Sequence, residues 1–188
     1  MKKEFQEKLD DLKRLMKNAL IDSKHSFRIF ALGSSSNTKP NIRTVVLRDF
    51  SLNNRNIDCH SDIRSPKINE LNQNNYVEAM FYCSDNKIQA RISGKVEIIH
   101  NNKETLDRWN SLTESSKRCY LGPYSPSTML ESYHANIPDD FKFKNPTPEQ
   151  SKIGYKNFVI IRIHFLKITV DTKELNLILV IKKFQQIG

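Results

Sequence analysis

The stretch "YVEAMFYCSDNKIQARISGKVEIIH", residues 76–100, decides the fold. Two β-prone runs, "YVEAMFYC" and "KIQARISGKVEIIH", are joined by "SDN", which predicts two long strands in a hairpin. Upstream, "IRTVVLRDF" (42–50) is strand-like, with Thr44, Val45 and Val46 branched at Cβ. "SFRIFALG" (26–33) reads as a strand in which Phe27, Ile29 and Ala31 alternate against Arg28 and Phe30; "GSSSNTKPN" follows as a hairpin connection. "SLNNRN" is a turn and "IDCHS" a short strand. Downstream, "FVIIRIHFLKITVDTKEL" (158–175) is one long alternating strand that turns near Asp171. Five or six strands, mostly in hairpin order, favour a small antiparallel barrel over a parallel doubly wound sheet. No GxGxxG or Walker sequence argues otherwise.

Helices frame these strands. Phe5, Leu9, Leu12, Met16 and Leu20 recur at helical spacing, so residues 2–21 predict an amphipathic helix closed by Asp22 and Ser23. A helix follows Ser65 as far as about Asn72. "NKETLDRWNSL" (102–112) predicts another, capped by Asn101 or Asn102, and "ESSKRCYL" a short one. Pro123, Pro126, Pro138, Pro146 and Pro148 break any long element between residues 122 and 157; one helical turn is expected near "STMLESYH". The expectation is one domain, residues 1–188.

Bulk chemistry excludes several classes. Thirty lysines and arginines against 21 acids give a net charge of +9, but the charges are scattered and interleaved. That pattern favours ordinary solvation plus a local anion site over a polyanion-binding surface and argues against nucleic acid. No apolar run approaches the roughly 20 residues that cross a bilayer. The first 20 residues carry acids throughout and form neither a signal nor a transit peptide. Cys59, Cys83 and Cys119 stand far apart with no CxxC pair, as suits structural thiols in a reducing cytoplasm. The histidines show no metal spacing, so no metal site is expected.

The chemistry concentrates in "SDIRSPKINEL" (61–71). Ser65 is a natural N-cap and Pro66 suits the first helical position, where its missing N–H costs nothing. The helix mouth then offers backbone N–H groups and a positive dipole end. Arg64 and Lys67 sit where that dipole disfavours cations, which makes sense if an anion, best a phosphate, occupies the mouth. Ser61 and Ser65 would add hydroxyl donors. The alternative is that the two cations solvate the helix start or pair with Asp62 and Glu70. Arg43 and Arg48 bracket "TVVL"; five positions apart on a strand they would face opposite ways, as pocket residues or as cations flanking a core strand. Gln89 and Arg91 share a strand face, and Gly94 marks a bulge or a close approach.

In order, "RTVVLR", "CHSDIRSPKINEL", "FYCSDNKIQARISGKVE" and "RWNSLTESSKRCYLGP" resemble the pyridoxamine 5′-phosphate oxidase-related flavoproteins, which are FMN-binding split barrels. The resemblance implies a mainly β fold with helices, an antiparallel six-stranded split β-barrel, and a homodimer holding FMN at the subunit interface. It implies that Arg43, Thr44, Val45, Val46, Leu47 and Arg48 lie along the flavin, with Arg43 and Lys67 on its phosphate. His60 and Ser61 would close over the ribityl phosphate, Arg64 and Ser65 match an "RSxK" form of the motif, and Gln89 matches a glutamine that contacts the ring. The implied activity is flavin-dependent oxidoreduction of a small substrate; a sensor or carrier that has lost catalysis is the alternative, and a basic nucleic-acid-binding barrel is a third reading. Departures are local. Trp109 and Thr113 stand near a tyrosine and an arginine that hold the oxidase's substrate phosphate, and only Ser116 matches. Arg48 replaces a lysine, and "LNLILVIKKFQQIG" lacks the family's terminal arginine, histidine and tryptophan; Lys182 and Lys183 receive no role.

Overall fold

The computed structural model describes residues 2–36, 39–172 and 176–180, and the side chains of residues 6–36, 39–172. The "KK" at 182–183 and the tip of the 33–41 connection lie outside the described residues. The chain forms two compact units that alternate along the sequence: Met1–Cys59, Glu70–Glu97 and Arg162–Gly188 in the first, His60–Asn69 and Ile98–Ile161 in the second.

The deciding hairpin forms as the pattern demands. Strands β1 (Ile29–Ser36), β2 (Lys39–Val46), β3 (Asp49–Ser51) and β4 (Asn56–Asp62) precede β5 (Tyr76–Cys83) and β6 (Ile88–His100). β5 and β6 pair antiparallel from Tyr76 opposite Lys95 to Cys83 opposite Ile88. Val77, Ala79, Phe81 and Cys83 are buried, whereas Tyr76, Glu78, Met80 and Tyr82 are exposed, the two-residue period of a half-buried strand. Lys87 closes the connection with a positive φ of 52°. With β7 (Phe158–Asp171) and β8 (Asn176–Val180), the order is β2-β1-β5-β6-β7-β4-β3, an open path on which β8 pairs with β7. Eight strands are present among the described residues where six were expected, because β3 and β8 are short additions to the expected set.

One face assignment is inverted. Phe30 and Leu32 of β1 point inward and Ile29 is 55 % exposed. Phe27 is buried as well, but from a 3₁₀ turn, Ser26–Arg28, in which its N–H donates to His25 Nδ1. The strand therefore begins three residues later than the sequence pattern indicates, and an odd shift of phase exchanges the two faces. Phe27, Phe30 and Phe81 form an aromatic cluster, with Phe30 stacked 4.6 Å from Phe81.

Helix α1 (Lys2–Ile21) buries Leu12, Leu15, Met16 and Ala19; Leu15 and Ala19 widen the expected stripe. Arg28 donates to the carbonyls of Ala19 and Leu20, satisfying acceptors of the last turn. Burial, and then the like charge of Arg48, lowers the Arg28 pKa from the ordinary arginine value. Deeper in this unit the carboxylate of Asp58, 0 % exposed, takes Nε and Nη2 of Arg162 at 2.9 and 2.7 Å. Asn56 Nδ2 donates to the same carboxylate at 3.1 Å. Gly94 is required where it stands, because a Cβ there would lie 2.5 Å from the His164 carbonyl oxygen.

The second unit is organised around Trp109, which packs with Ile99, Tyr120, Phe158 and Ile160. Helix α2 (Pro66–Gln73) starts in this unit; helices α3 (Lys103–Asn110), α4 (Glu114–Lys117) and α5 (Pro148–Ser151) lie within it. Asn102 is the α3 cap, in a reciprocal box with Thr105. No helix forms at residues 127–134; the helical turns of the proline-rich region are Asp139–Phe141, α5 and Lys152–Asn157. Thr147, Pro148 and Gln150 supply a cap, an N1 proline and a capping box to α5.

Candidate functional site

The mouth of α2 holds the densest polar cluster that the sequence anticipates. The helix begins at Pro66, immediately after Ser65. Lys67 Nζ donates to Ser65 Oγ at 2.8 Å and to Ser61 Oγ at 3.2 Å, so one ammonium and two hydroxyls converge at the first turn. Ser61 and Ser65 are 6 % and 4 % exposed, which sets these hydroxyls into the structure rather than on a mobile surface. His60 lies edge-on to Phe158, with ring centres 4.8 Å apart.

Arg64 takes a different part. Its guanidinium grips Asp62 through Nε at 3.0 Å and Nη2 at 2.7 Å, and Nη1 reaches the Gly122 carbonyl at 3.0 Å. The hydrogen bonds to Asp62 raise its pKa above the ordinary arginine value, against the opposing effect of burial. Asp62 Oδ1 also accepts the Arg64 backbone N–H at 2.8 Å, a local Asx turn that shapes the approach to the helix. Gly122 is fixed in turn: a Cβ on it would lie 2.5 Å from the Asn136 carbonyl oxygen, and the Asn136 amide bridges the backbone of Tyr124 in both directions at 3.0 Å. Arg64 thus ties the entry to α2 to the start of the proline-rich segment, and the pairing with Asp62 is the one the charge pattern offered as an alternative.

The strand residues belong to the other unit. Arg43, on β2, donates to Ser34 Oγ of β1 and pairs with Glu70, which lies on α2 one turn after Lys67 in sequence. Ser34 Oγ donates to Glu70 Oε2 at 2.7 Å, closing a three-residue network. Thr44 is exposed, Val45 and Val46 are half-buried, and Leu47 is 0 % exposed. β2 stands at one end of the strand order, and its described partner is β1. Arg48 falls beyond the end of β2 at Val46, with its N–H on the Asp58 carbonyl, so the five-residue parity expected for Arg43 and Arg48 does not apply. Gln89, on β6, donates through Nε2 to Asp171 Oδ2 at 3.0 Å.

Two participants carried no sequence signal, Ser34 and Asp171; Asp62 and Glu70 stood as possible partners of Arg64 and Lys67, and Glu70 pairs with Arg43 instead. Trp109, near a substrate-contact position of the family, is 3 % exposed and lies in the core. Thr113 caps α4 by accepting the Ser116 N–H, and the two side chains bond each other at 3.0 Å. Among the described residues no group of three metal-ligating side chains forms, and no helix is long and apolar enough to cross a membrane.

The described strands pair antiparallel on an open path, and a lysine and two buried serine hydroxyls converge at the mouth of α2. Residues 8–100 match the family described as "Pyridoxamine 5'-phosphate oxidase, FMN-binding domain". A pyridoxine/pyridoxamine 5'-phosphate oxidase 2 of Arabidopsis thaliana is 43 % identical over 63 residues, 34 % of this chain and 32 % of that protein. The chain therefore matches about a third of that relative's length. A pyridoxamine 5'-phosphate oxidase-related FMN-binding protein from Nostoc punctiforme superposes with a TM-score of 0.64 at 18 % identity, over 88 % of this chain and 84 % of that one. PhzG from Burkholderia lata gives 0.59 at 13 % identity, over 92 % and 91 % of the two chains. Residues 8–100, just under half of the chain, thus match an FMN-binding domain family, the fold is that of the split-barrel relatives, and FMN is the cofactor that the match names.

Proposed function

We propose that this chain is an FMN-dependent oxidoreductase acting on a small substrate, and that the FMN phosphate is held at the mouth of α2. The observation that carries the reading is the convergence of Lys67 Nζ with the hydroxyls of Ser61 and Ser65. An ammonium and two serine hydroxyls at the positive end of a helix suit a phosphate, which Ser61 would meet by turning its hydroxyl from the Asp62 carbonyl that now accepts it. The family resemblance gives Arg43, which Glu70 and Ser34 orient within the first unit, a phosphate-binding role, and gives His60, within the second, the wall of the ribityl end. Arg64 holds the loop rather than the phosphate. The end of β2 and the following Leu47, residues 43–47, supply backbone groups to the ring, Arg48 lines the pocket, and Gln89 meets the heterocycle edge. When bound, FMN supplies hydride acceptance at its ring; the protein positions it and excludes water.

The family resemblance further supports a homodimer in the cytoplasm. Ile42, Tyr76, Met80 and Tyr82 leave apolar surface on the first unit for a second copy to cover. The test is an absorption spectrum of the purified protein with identification of the chromophore released on denaturation. FMN at about one per chain is the expected result; a colourless protein that ignores added FMN overturns the reading. A flavin-binding sensor or carrier is favoured by one observation: Trp109, Thr113 and Ser116 are engaged in packing and capping. Turnover with an electron donor and acceptor excludes it.

A further inference from the structure

Gln89 was expected to meet a flavin, but what its amide already holds is a carboxylate. Nε2 donates to Asp171 Oδ2 at 3.0 Å, and Arg91 Nη2 approaches the same oxygen at 3.4 Å. A carboxylate at neutral pH has no hydrogen to give, so the end of the Gln89 amide that faces it is the NH₂. The other end, Oε1, accepts no hydrogen bond among the described residues. A free glutamine amide turns about its last torsion and presents donor or acceptor at will. This one cannot turn without setting its oxygen against the carboxylate. Asp171 reaches it from the far end of β7, 82 residues along the chain, and all three residues lie in the first unit. Arg91, 51 % exposed at its side chain, offsets the Asp171 charge, so the pair acts on Gln89 by orientation more than by field.

We infer that Asp171 is a positioning residue that fixes Gln89 with its carbonyl oxygen outward, so that the site selects a hydrogen-bond donor on the ring edge it meets. This rests on the FMN reading above. The isoalloxazine has one such donor on its pyrimidine edge, N3–H, between two carbonyls that would prefer an NH₂. A locked acceptor therefore specifies register, placing Gln89 opposite N3 rather than opposite O2 or O4.

The experiment compares FMN with N3-methyl-FMN, which has no N3–H, by flavin-fluorescence titration of the wild-type protein, Asp171→Asn and Gln89→Leu. The wild type is expected to favour FMN over the analogue by about tenfold, the scale of one hydrogen bond whose loss leaves its acceptor unsatisfied. In Asp171→Asn the new amide can meet either end of Gln89, and the preference falls to about twofold; in Gln89→Leu it disappears while FMN still binds. A structural loosening would weaken both flavins alike and leave the ratio unmoved. Should the asparagine variant fold poorly, Asp171→Ser gives the same ratio. An unchanged ratio in the Asp171 variants overturns the inference, as does a wild-type ratio near one with both flavins bound; neither result touches the FMN reading. Failure of the wild type to bind either flavin overturns that reading, and this inference with it.

Discussion

Replacing Lys67 by methionine removes the ammonium and keeps an unbranched stem with good helix propensity, so the helix itself should persist. In the structure Nζ lies 2.8 Å from Ser65 Oγ and 3.2 Å from Ser61 Oγ, a position from which it can meet a phosphate that shares those hydroxyls. A hydrogen bond to a charged group contributes about 1.5–3 kcal/mol, or about 12- to 150-fold in affinity. Coulomb attraction of unit charges about 4 Å apart in an effective dielectric of about 20 is about 4 kcal/mol, and desolvation of both ions offsets part of it. An intermediate loss of about 2 kcal/mol, about thirtyfold in the FMN Kd, is the expected outcome. Riboflavin carries the same ring and no phosphate, so its weaker binding should change by less than about twofold. Fluorescence-quenching titrations of both flavins at low and moderate salt give the two ratios directly. Equal losses for FMN and riboflavin, or an FMN loss under about threefold, would refute the placement of the phosphate.

Two further outcomes concern the scaffold. Asp58→Ala strips Arg162 of a carboxylate that is 0 % exposed and should cost about 3–5 kcal/mol in urea unfolding, whereas Asp58→Leu combined with Arg162→Met should recover most of that loss; a single-variant cost under about 1 kcal/mol would show that the pair contributes little. The Glu114 carboxyl is held below the usual carboxylate range, first by its hydrogen bond from Lys117 and then by Ser151 and the Lys117 charge, against burial. Its folded pKa lies below the unfolded one, so its contribution is present above the unfolded value and lost as pH falls through the folded value. Glu114→Gln should therefore destabilise at neutral pH and become indistinguishable from wild type in acid; a difference that persists in acid would contradict the linkage.

The hairpin at 76–100 and the α2 start were legible because each rests on local pattern: alternation on either side of a short turn, and a serine before a proline. The β1 face was misread because a 3₁₀ turn at Ser26–Arg28 has no periodic signature of its own, and it moved the strand out of phase. Arg64 and Lys67 looked equivalent in sequence. Their difference lies in what surrounds them, since Asp62 is within two residues but Gly122 is 58 positions away. The partners of Arg43 and Gln89 were invisible for the same reason: Glu70 and Asp171 are brought to them by strand order, which a linear pattern does not encode. The residues that gave the family away were adjacent in the chain, and those that tune the candidate site are not.

The alternation of the two units along the chain has a practical corollary. The backbone passes from one to the other after Cys59, Asn69, Glu97 and Ile161, and each passage falls inside a regular element: β4, α2, β6 and β7. No single cut releases either half as an uninterrupted polypeptide, and any cut at a passage severs a strand or a helix. Fragment expression, split-reporter fusions and gene recombination at these points should therefore all fail, whereas a break in the tight connection between β5 and β6 leaves every such passage whole.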